Sequence, residues 1–419
     1  MKIQAVRGMK DVLPPETHKW QQLERVARRV VAAFGYAEIK IPVLERTELF
    51  ARSIGESTDI VEKEMYTFRD RSGDMLTMRP EATAGVLRAY VEHKLYATPG
   101  PHKLFCIGPM FRHERPQKGR LRQFHQLDVE VLDDPGPLVD AELMVMLVDF
   151  LEKLGLDEVS LKVNSLGCPQ CRPAFRQALV EFFESRRGAL CEDCRRRLTT
   201  NPLRVLDCKN PSCQEAAAGA PGIAEHHCPD CRRHFDEVQD GLSLAGVSFE
   251  VDPRLVRGLD YYVRTTFEAV TGKLGAQNAV AGGGRYDGLI EMLGGPAQGG
   301  IGFAAGLERL ALLMPDPQSL PVPRLFIAAL GEEPRRLAFQ KVQQLRRQGV
   351  WVEMSSQDKS LKSQMRKANK LGAEMVLILG GDELAKGKAN LKDMREGTQE
   401  EVDLAGVWTR FTPEGEVQS

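Results

Sequence analysis

Gly108 to Leu132 reads GPMFRHERPQKGRLRQFHQLDVEVL and divides into a strand, a basic loop and a second strand. Side chains alternate faces along a strand, so His125, Leu127, Val129 and Val131 share one face and Gln126, Asp128 and Glu130 the other. Met110, Arg112 and Glu114 share a face of the first strand. Antiparallel pairing predicts a surface displaying Arg112, Gln126 and Glu130, with Arg115, Gln117, Lys118 and Arg120 at the tip. Such a surface could hold a polar, anionic ligand on a rigid sheet. Alternation alone also fits an amphipathic hairpin with a solvated face.

Outward from the hairpin, three segments carry unusual polarity. Arg257 to Glu268, RGLDYYVRTTFE, packs Arg257, Asp260, Tyr261, Tyr262 and Arg264 into a strand-like run. Ala281 to Gly288, AGGGRYDG, has glycines that let backbone approach a ligand or another strand closely. Gly300 to Leu310, GIGFAAGLERL, reads as glycines leading into a helix that carries Arg309. It superficially matches a dinucleotide fingerprint, but no buried apolar strand precedes it. No phosphate-loop signature occurs either, so a nucleotide would have to be held by arginines on a sheet.

The remaining chain is organised around this centre. Glu16 to Phe34 has helical apolar spacing, Ala37 to Leu44 is a short run with Pro42 that suits an edge or interface strand, and Asp140 to Leu154 is helical. Cys168 to about Gln239 is rich in Cys, Arg and Pro and reads as an insertion, after which strand patterning resumes at Val247 to Val251. Prolines 315, 317, 321 and 323 mark a break. Beyond it, strands 325–330, 350–354 and 375–379 alternate with helices 334–348 and 360–371, implying a small α/β domain.

Length supports that division, because 419 residues exceed one ordinary core. Hydrophobic residues at 42% and charged residues at 27% argue against disorder. No signal peptide or membrane span is visible, so the expected compartment is the cytoplasm. The formal net charge is -1, so a nucleic-acid surface must be local. From Arg335 to Arg395, 14 basic residues face 6 acids, a net +8 that would attract a phosphate backbone. A solvated Lys-rich surface is the plainer reading of that bias.

Eight of nine cysteines lie between Cys168 and Cys231. Cys168/Cys171, Cys191/Cys194 and Cys228/Cys231 are C-x-x-C pairs, and Cys208 and Cys213 form a looser one. The eight could make up to two four-cysteine zinc sites, or remain free thiols in a reducing compartment.

With RGMKDVLP (Arg7 to Pro14) and RPEATAG (Arg79 to Gly85), these motifs resemble histidyl-tRNA synthetase, a class II aminoacyl-tRNA synthetase family. The hairpin resembles class motif 2 and the Gly300 helix class motif 3, while RGLDYY and AGGGRYDG resemble signatures of the histidine enzyme. The resemblance implies an α+β fold. A class II antiparallel-sheet catalytic domain would cover 1–322, with the Cys-rich insertion at 168–240. An anticodon-binding α/β domain would cover 323–419. It implies a homodimer, with the Pro42 region at the interface, acting on ATP with Mg2+, L-histidine and tRNA(His).

The resemblance also assigns residues. Arg257 and Arg112 would be catalytic, facing the α-phosphate from two sides, with Arg120 at the bent triphosphate and Arg309 at the γ-phosphate. Glu81, Thr83 and Gln126 would bind the histidine α-amino group. Glu130 and Tyr262 would bond the two imidazole nitrogens, with Tyr261 alongside. Arg115 and Gln117 would lie near the tRNA acceptor end. The rival is a non-catalytic synthetase-like regulatory subunit of histidine biosynthesis. That group typically lacks the C-terminal domain and degrades the signature arginines, whereas this chain keeps Arg112, Arg257 and Arg309.

Overall fold

The hairpin forms and supplies the second and third strands, counted from one edge, of a large sheet. The computed structural model describes residues 3–55, 58, 60–259, 261–274, 278–316 and 320–412; Asp260 and Pro317 of the sequence reading lie outside them. The chain divides into two compact units, Met1–Pro317 and Gln318–Ser419.

The first unit holds an eight-stranded sheet: β1 (Ala37–Glu38), β2 (His102–Phe111), β3 (Gln123–Leu132), β4 (Ser160–Ser165), β5 (Phe249–Val251), β6 (Val263–Val270), β7 (Ala279–Arg285) and β8 (Gly300–Gly306). The spatial order is β1-β2-β3-β8-β7-β6-β4-β5. The interior pairs are antiparallel, and only the edge pairs β1–β2 and β4–β5 are parallel.

One face of this sheet buries against helices. The helices of this unit include α1 (Glu16–Ala33), α2 (Thr83–Glu92), α3 (Pro137–Lys153), α4 (Pro229–Leu244) and α5 (Leu307–Leu313). Trp20, Leu23, Ala27, Val30 and Val31 form the buried stripe of α1. They join Leu127, Val129 and Val131 of β3 and Leu143, Leu147 and Phe150 of α3 in the main core. The alternation along β3 therefore has a physical cause: its apolar face meets helices, leaving Gln126, Asp128 and Glu130 on the other side.

Two local expectations need correction. Arg257 to Glu268 is not a continuous strand: its described residues up to Tyr262 form a loop, and β6 begins at Val263. Arg264 at φ 50 and a register shift opposite Gly284/Arg285 interrupt the extended path. The glycines of GIGFAAG do not open a helix; they are strand β8, and the helix starts at Leu307. Backbone contact explains why they sit in a central strand. A Cβ on Gly283 would lie 2.0 Å from Gly302 O, and one on Gly302 would lie 1.7 Å from Glu130 Oε2.

The insertion runs between the parallel neighbours β4 and β5. Its last helix, α4, returns Phe235, Val238 and Leu242 to the main core. A small separate sheet joins Leu44–Arg46, Tyr66–Arg69 and Met75–Met78.

In the second unit, β9 (Leu325–Ala329), β10 (Val352–Met354), β11 (Met375–Leu379), β12 (Lys388–Asp393) and β13 (Gln399–Asp403) lie in the order β10-β9-β11-β12-β13. The first three are parallel and the last two antiparallel. Helices Glu332–Arg347 and Leu361–Leu371 connect the parallel strands, and the second exposes Lys362, Arg366, Lys367 and Lys370. Among the described residues, no helix is long and apolar enough to cross a membrane.

Candidate active site

A cleft with a cavity volume of 280 Å³ opens on the other face of the large sheet, part of which α2 and the insertion cover. Nine of the expected site residues line it: Glu81, Thr83, Arg112, Arg120, Gln126, Arg257, Tyr261, Tyr262 and Arg309. They come from four separate sequence segments. Glu130 lies beneath the wall, and Arg115 and Gln117 sit exposed on the hairpin tip outside the cleft.

Each side chain is held by an identifiable tie. Glu81 precedes α2, and its Oε1 accepts the Ala84 N–H at 3.0 Å, satisfying one of the free donors of the first turn. Thr83 Oγ1 donates to Glu130 Oε1 at 2.6 Å, and the Tyr286 hydroxyl donates to Glu130 Oε2. Arg112 follows β2; its Nε donates to Pro80 O at 2.9 Å, and its guanidinium lies 5.3 Å from the Phe124 ring centre. The hairpin turns over Lys118 and Gly119, with Gln117 and Arg120 exchanging backbone bonds and Gly119 at φ +72. Gly119 O accepts Arg309 Nε at 3.1 Å, joining the tip to the first turn of α5. Arg257 pairs with Glu268 and lies over the Tyr262 ring.

The cleft is electrically divided. At one end Glu81, Asp128 and Glu130 are all buried. Burial lifts Glu130 to about 8, against the pull of its Thr83 and Tyr286 bonds, with Glu81 raising it further. Burial, then Glu130 and Glu81, push Asp128 well above the usual carboxylate range. Burial also raises Glu81, opposed by the Ala84 amide and Arg112. Arg112, Arg120, Arg257 and Arg309 also line the cleft, outnumbering Glu114 and Glu268, which pair with Arg120 and Arg257. Burial first, then the nearby Arg120 charge, lower Arg309. Like charges held together in a half-dry pocket suit a polyanion.

Gln126 Oε1 and Arg257 Nε, both on cleft-lining residues, are buried without a hydrogen-bond partner. They are an acceptor and a donor available to a bound molecule.

Sequence reading did not pick out Tyr286, Glu268 or Phe124 as site residues, and it placed Glu114 only on a strand face; all four are on the cleft wall. Tyr286 lies inside AGGGRYDG, where the preceding glycine run was the available signal. Arg285, next to it, is fully buried and points the other way, bonding Asp140, Asp287, Asp134 O and Gly136 O. His234 of α4 also bonds Asp140, at 2.9 Å. This ion network ties β7, α3 and the insertion together.

The eight insertion cysteines form two groups, Cys168/Cys171/Cys228/Cys231 and Cys191/Cys194/Cys208/Cys213, each with all sulfurs within 4.8 Å of one another. Sulfur separations of 3.6 Å (Cys168–Cys171), 3.9 Å (Cys168–Cys228) and 3.9 Å (Cys191–Cys208) exclude disulfides there. They fit four thiolates on one zinc, whose ~2.3 Å bonds give sulfur edges of about 3.8 Å. Backbone N–H groups of Cys228 and Cys191 donate to the sulfurs of Cys171 and Cys213.

An antiparallel sheet bearing an arginine hairpin, closed by a strand that runs into an arginine-bearing helix, is the catalytic architecture of a class II aminoacyl-tRNA synthetase. The family description "Histidyl-tRNA synthetase" matches residues 8–197 and 202–310, and "Anticodon binding domain" matches 324–412. The histidine--tRNA ligases of Trichlorobacter lovleyi and Geobacter sulfurreducens are each 56% identical to this chain, over 404 and 402 residues. The alignments cover 96% of this chain in both cases, and 96% and 97% of those proteins. The apo histidyl-tRNA synthetase of S. aureus superposes with a TM-score of 0.82 at 34% identity, covering 98% of this chain and 100% of that one. The chain belongs to the histidyl-tRNA synthetase family.

Proposed function

We propose that this chain ligates L-histidine to tRNA(His) at the expense of ATP, through a histidyl-adenylate. The histidine carboxylate oxygen attacks the α-phosphorus, and the bond to the β-phosphate oxygen breaks to release diphosphate. A hydroxyl of the 3′-terminal adenosine of tRNA then attacks the carbonyl carbon, and AMP leaves. Mg2+ enters with ATP as part of the substrate and offsets triphosphate charge.

One observation carries this reading: Arg112, Arg257 and Arg309 meet in the cleft that also holds Glu81, Thr83, Gln126 and Tyr262. In-line transfer loads negative charge onto phosphate oxygens, which fixed guanidinium groups stabilise without reorganising. We assign Arg112 and Arg257 to the α-phosphate, Arg120 to the bent triphosphate and Arg309 to the γ-phosphate. Glu81, Thr83 and the unpaired Gln126 Oε1 take the α-ammonium. Tyr262 and Glu130 read the imidazole nitrogens, with Tyr261 against Tyr262 at 4.6 Å between ring centres. A site that pairs both nitrogens rejects apolar analogues by roughly 10⁴-fold, which leaves little need for editing.

Arg115 and Gln117, exposed on the hairpin tip, meet the tRNA acceptor end. Residues 1–322 form the catalytic domain, 168–240 its insertion and 323–419 the anticodon-reading domain, whose exposed lysines and arginines attract the RNA backbone. The protein works as a cytoplasmic homodimer through the Pro42 region; the adjacent small sheet exposes Leu44, Phe68 and Met75, an apolar set suited to a partner. Each cysteine group holds one structural zinc. The cleft's retained arginines give no support to a non-catalytic regulatory role.

Amino-acid-dependent exchange of diphosphate into ATP, run with all twenty amino acids, tests the assignment. Exchange with histidine alone is expected; no exchange with histidine, or equal exchange with others, refutes it. Arg257→Ala is expected to lower exchange by about 10²–10³-fold with the fold intact.

A further inference from the structure

The loop that carries Arg257 and Tyr262 is a thin partition. Arg257, Leu259 and Tyr262 line the substrate cleft and also a second cavity of 540 Å³ on the insertion side. With a cavity on each side of it, the loop's position depends on where its peptide groups are tied as well as on its packing.

Two ties come from the insertion. Arg204 Nη1 donates to Arg257 O at 2.8 Å, and Arg172 Nη2 donates to Tyr262 O. They grip the loop at its two ends, beside the side chain that faces phosphate and the one that faces imidazole. Each guanidinium belongs to a different cysteine group. Arg172 directly follows Cys171, at the start of helix Arg172–Glu184, and its Nε also lies 3.4 Å from Leu166 O. Arg204 sits in the turn Pro202–Val205, in the stretch between Cys194 and Cys208. Val256 and Tyr262 share one apolar cluster with Phe175, Leu179, Cys194 and Val205 of the insertion, so the loop packs directly on the frame that the cysteines hold.

We infer that the two cysteine groups are positioning modules for the active site. Zinc at Cys168/Cys171/Cys228/Cys231 sets Arg172 and through it Tyr262. Zinc at Cys191/Cys194/Cys208/Cys213 sets Arg204 and through it Arg257. The inference rests on the zinc reading above and adds a consequence for substrate binding and turnover. Bonds from a charged donor are strong enough for such a role, and a tetrathiolate zinc orders short loops that cannot build a core of their own.

The test uses the full chain purified without chelator, with zinc measured by mass spectrometry and histidine binding by calorimetry. Wild-type protein is expected to hold two zinc ions per chain, and Arg172→Ala and Arg204→Ala to keep both. Arg172→Ala should weaken histidine binding about tenfold with the KM for ATP little changed, the effect of one lost charged hydrogen bond. Arg204→Ala should lower the kcat of exchange by about tenfold with histidine affinity little changed, since it is Arg257 that loses its tie. Lysine at either position should recover part of the loss. Less than one zinc per chain in the wild type overturns the zinc reading and the proposal with it. Full zinc with unchanged affinity and turnover in both variants overturns the coupling alone. Joint loss of zinc, affinity and turnover in a variant also overturns the coupling, because a merely structural arginine would behave that way.

Discussion

Asp140→Asn should destabilise the first unit strongly without touching the cleft. Both Asp140 and Arg285 are completely buried. Asp140 accepts from two guanidinium nitrogens of Arg285 and from His234 Nε2 at 2.9 Å. The amide would keep the shape but remove the charge, and its NH2 would face N–H donors. Arg285 would retain Asp287 at 3.2 Å and the carbonyls of Asp134 and Gly136 at 2.9 and 3.0 Å. Breaking a buried ion pair from one side costs about 3–5 kcal/mol, and the remaining Asp287 places the expectation at the lower end, about 3 kcal/mol. The acid limb gives a second readout. Burial alone would raise Asp140, but the His234 bond and the Arg285 charge overcome it and hold the group below the usual aspartate range. A depressed folded-state value adds stability above the unfolded aspartate value of about 3.9, and that stability is lost as pH falls through the folded value. The variant should therefore lose most at neutral pH and approach the wild type in acid. Urea unfolding at pH 7 and at decreasing pH, followed by Trp20 fluorescence in a background where Trp351 and Trp408 are Phe, measures both. A loss below about 1 kcal/mol, well under the cost of breaking such a pair, or a loss independent of pH, refutes the view that Asp140 is the counter-ion of Arg285.

Glu130→Gln should change the alkaline side instead. Glu130 titrates near 8 when folded, far above its unfolded value, so the folded state binds the extra proton and wild-type stability falls as pH rises through the window up to about 8. The glutamine variant lacks that fall, which unfolding curves at pH 5, 7 and 9 would register; parallel wild-type and variant profiles would contradict the assignment. Gly302→Ala should damage both strand pairing and histidine binding, because its Cβ would lie 1.7 Å from Glu130 Oε2 and 2.5 Å from Val129 O. An overpacking cost of about 1–3 kcal/mol is expected, and wild-type stability with an unchanged histidine KM would show that the strands have room to part. Tyr286→Phe should raise the histidine KM by about tenfold by removing a donor from the Glu130 carboxyl, measured in the same exchange assay.

The parts of this architecture governed by local periodicity were legible in the chain. The α1 stripe, the alternation along β3 and the alternating strands and helices of residues 325–379 all follow from which side chains must be buried. The closing hairpin β12–β13 was not legible, because KANLKD and QEEVD are largely polar and bury only Ala389, Leu391 and Val402. The glycines of β8 misled for a physical reason. A residue without a side chain has no periodicity to read, and what fixes it as a strand is contact with Gly283 and Glu130 from strands distant in sequence. The pairing of eight cysteines into two groups was equally closed to sequence. Spacing shows the C-x-x-C pairs, but only the fold joins Cys168/Cys171 to Cys228/Cys231 rather than to Cys191/Cys194.

The division of charge within the cleft gives those long-range contacts their meaning. Glu81, Asp128 and Glu130 would repel one another if all were ionised in a dry pocket, and burial pushes all three up, Glu130 to about 8. The arginines cannot shed their charge, and Glu114, paired with Arg120, and Glu268, paired with Arg257, offset part of it within the cleft. On the proposed reading, an ammonium beside the carboxyls and a triphosphate beside the arginines would each meet opposite charge in the same cavity. A sheet is needed because these groups come from β3, the Arg79–Thr83 segment, the Arg257 loop and α5, and only a rigid common floor holds them in register before either substrate is bound.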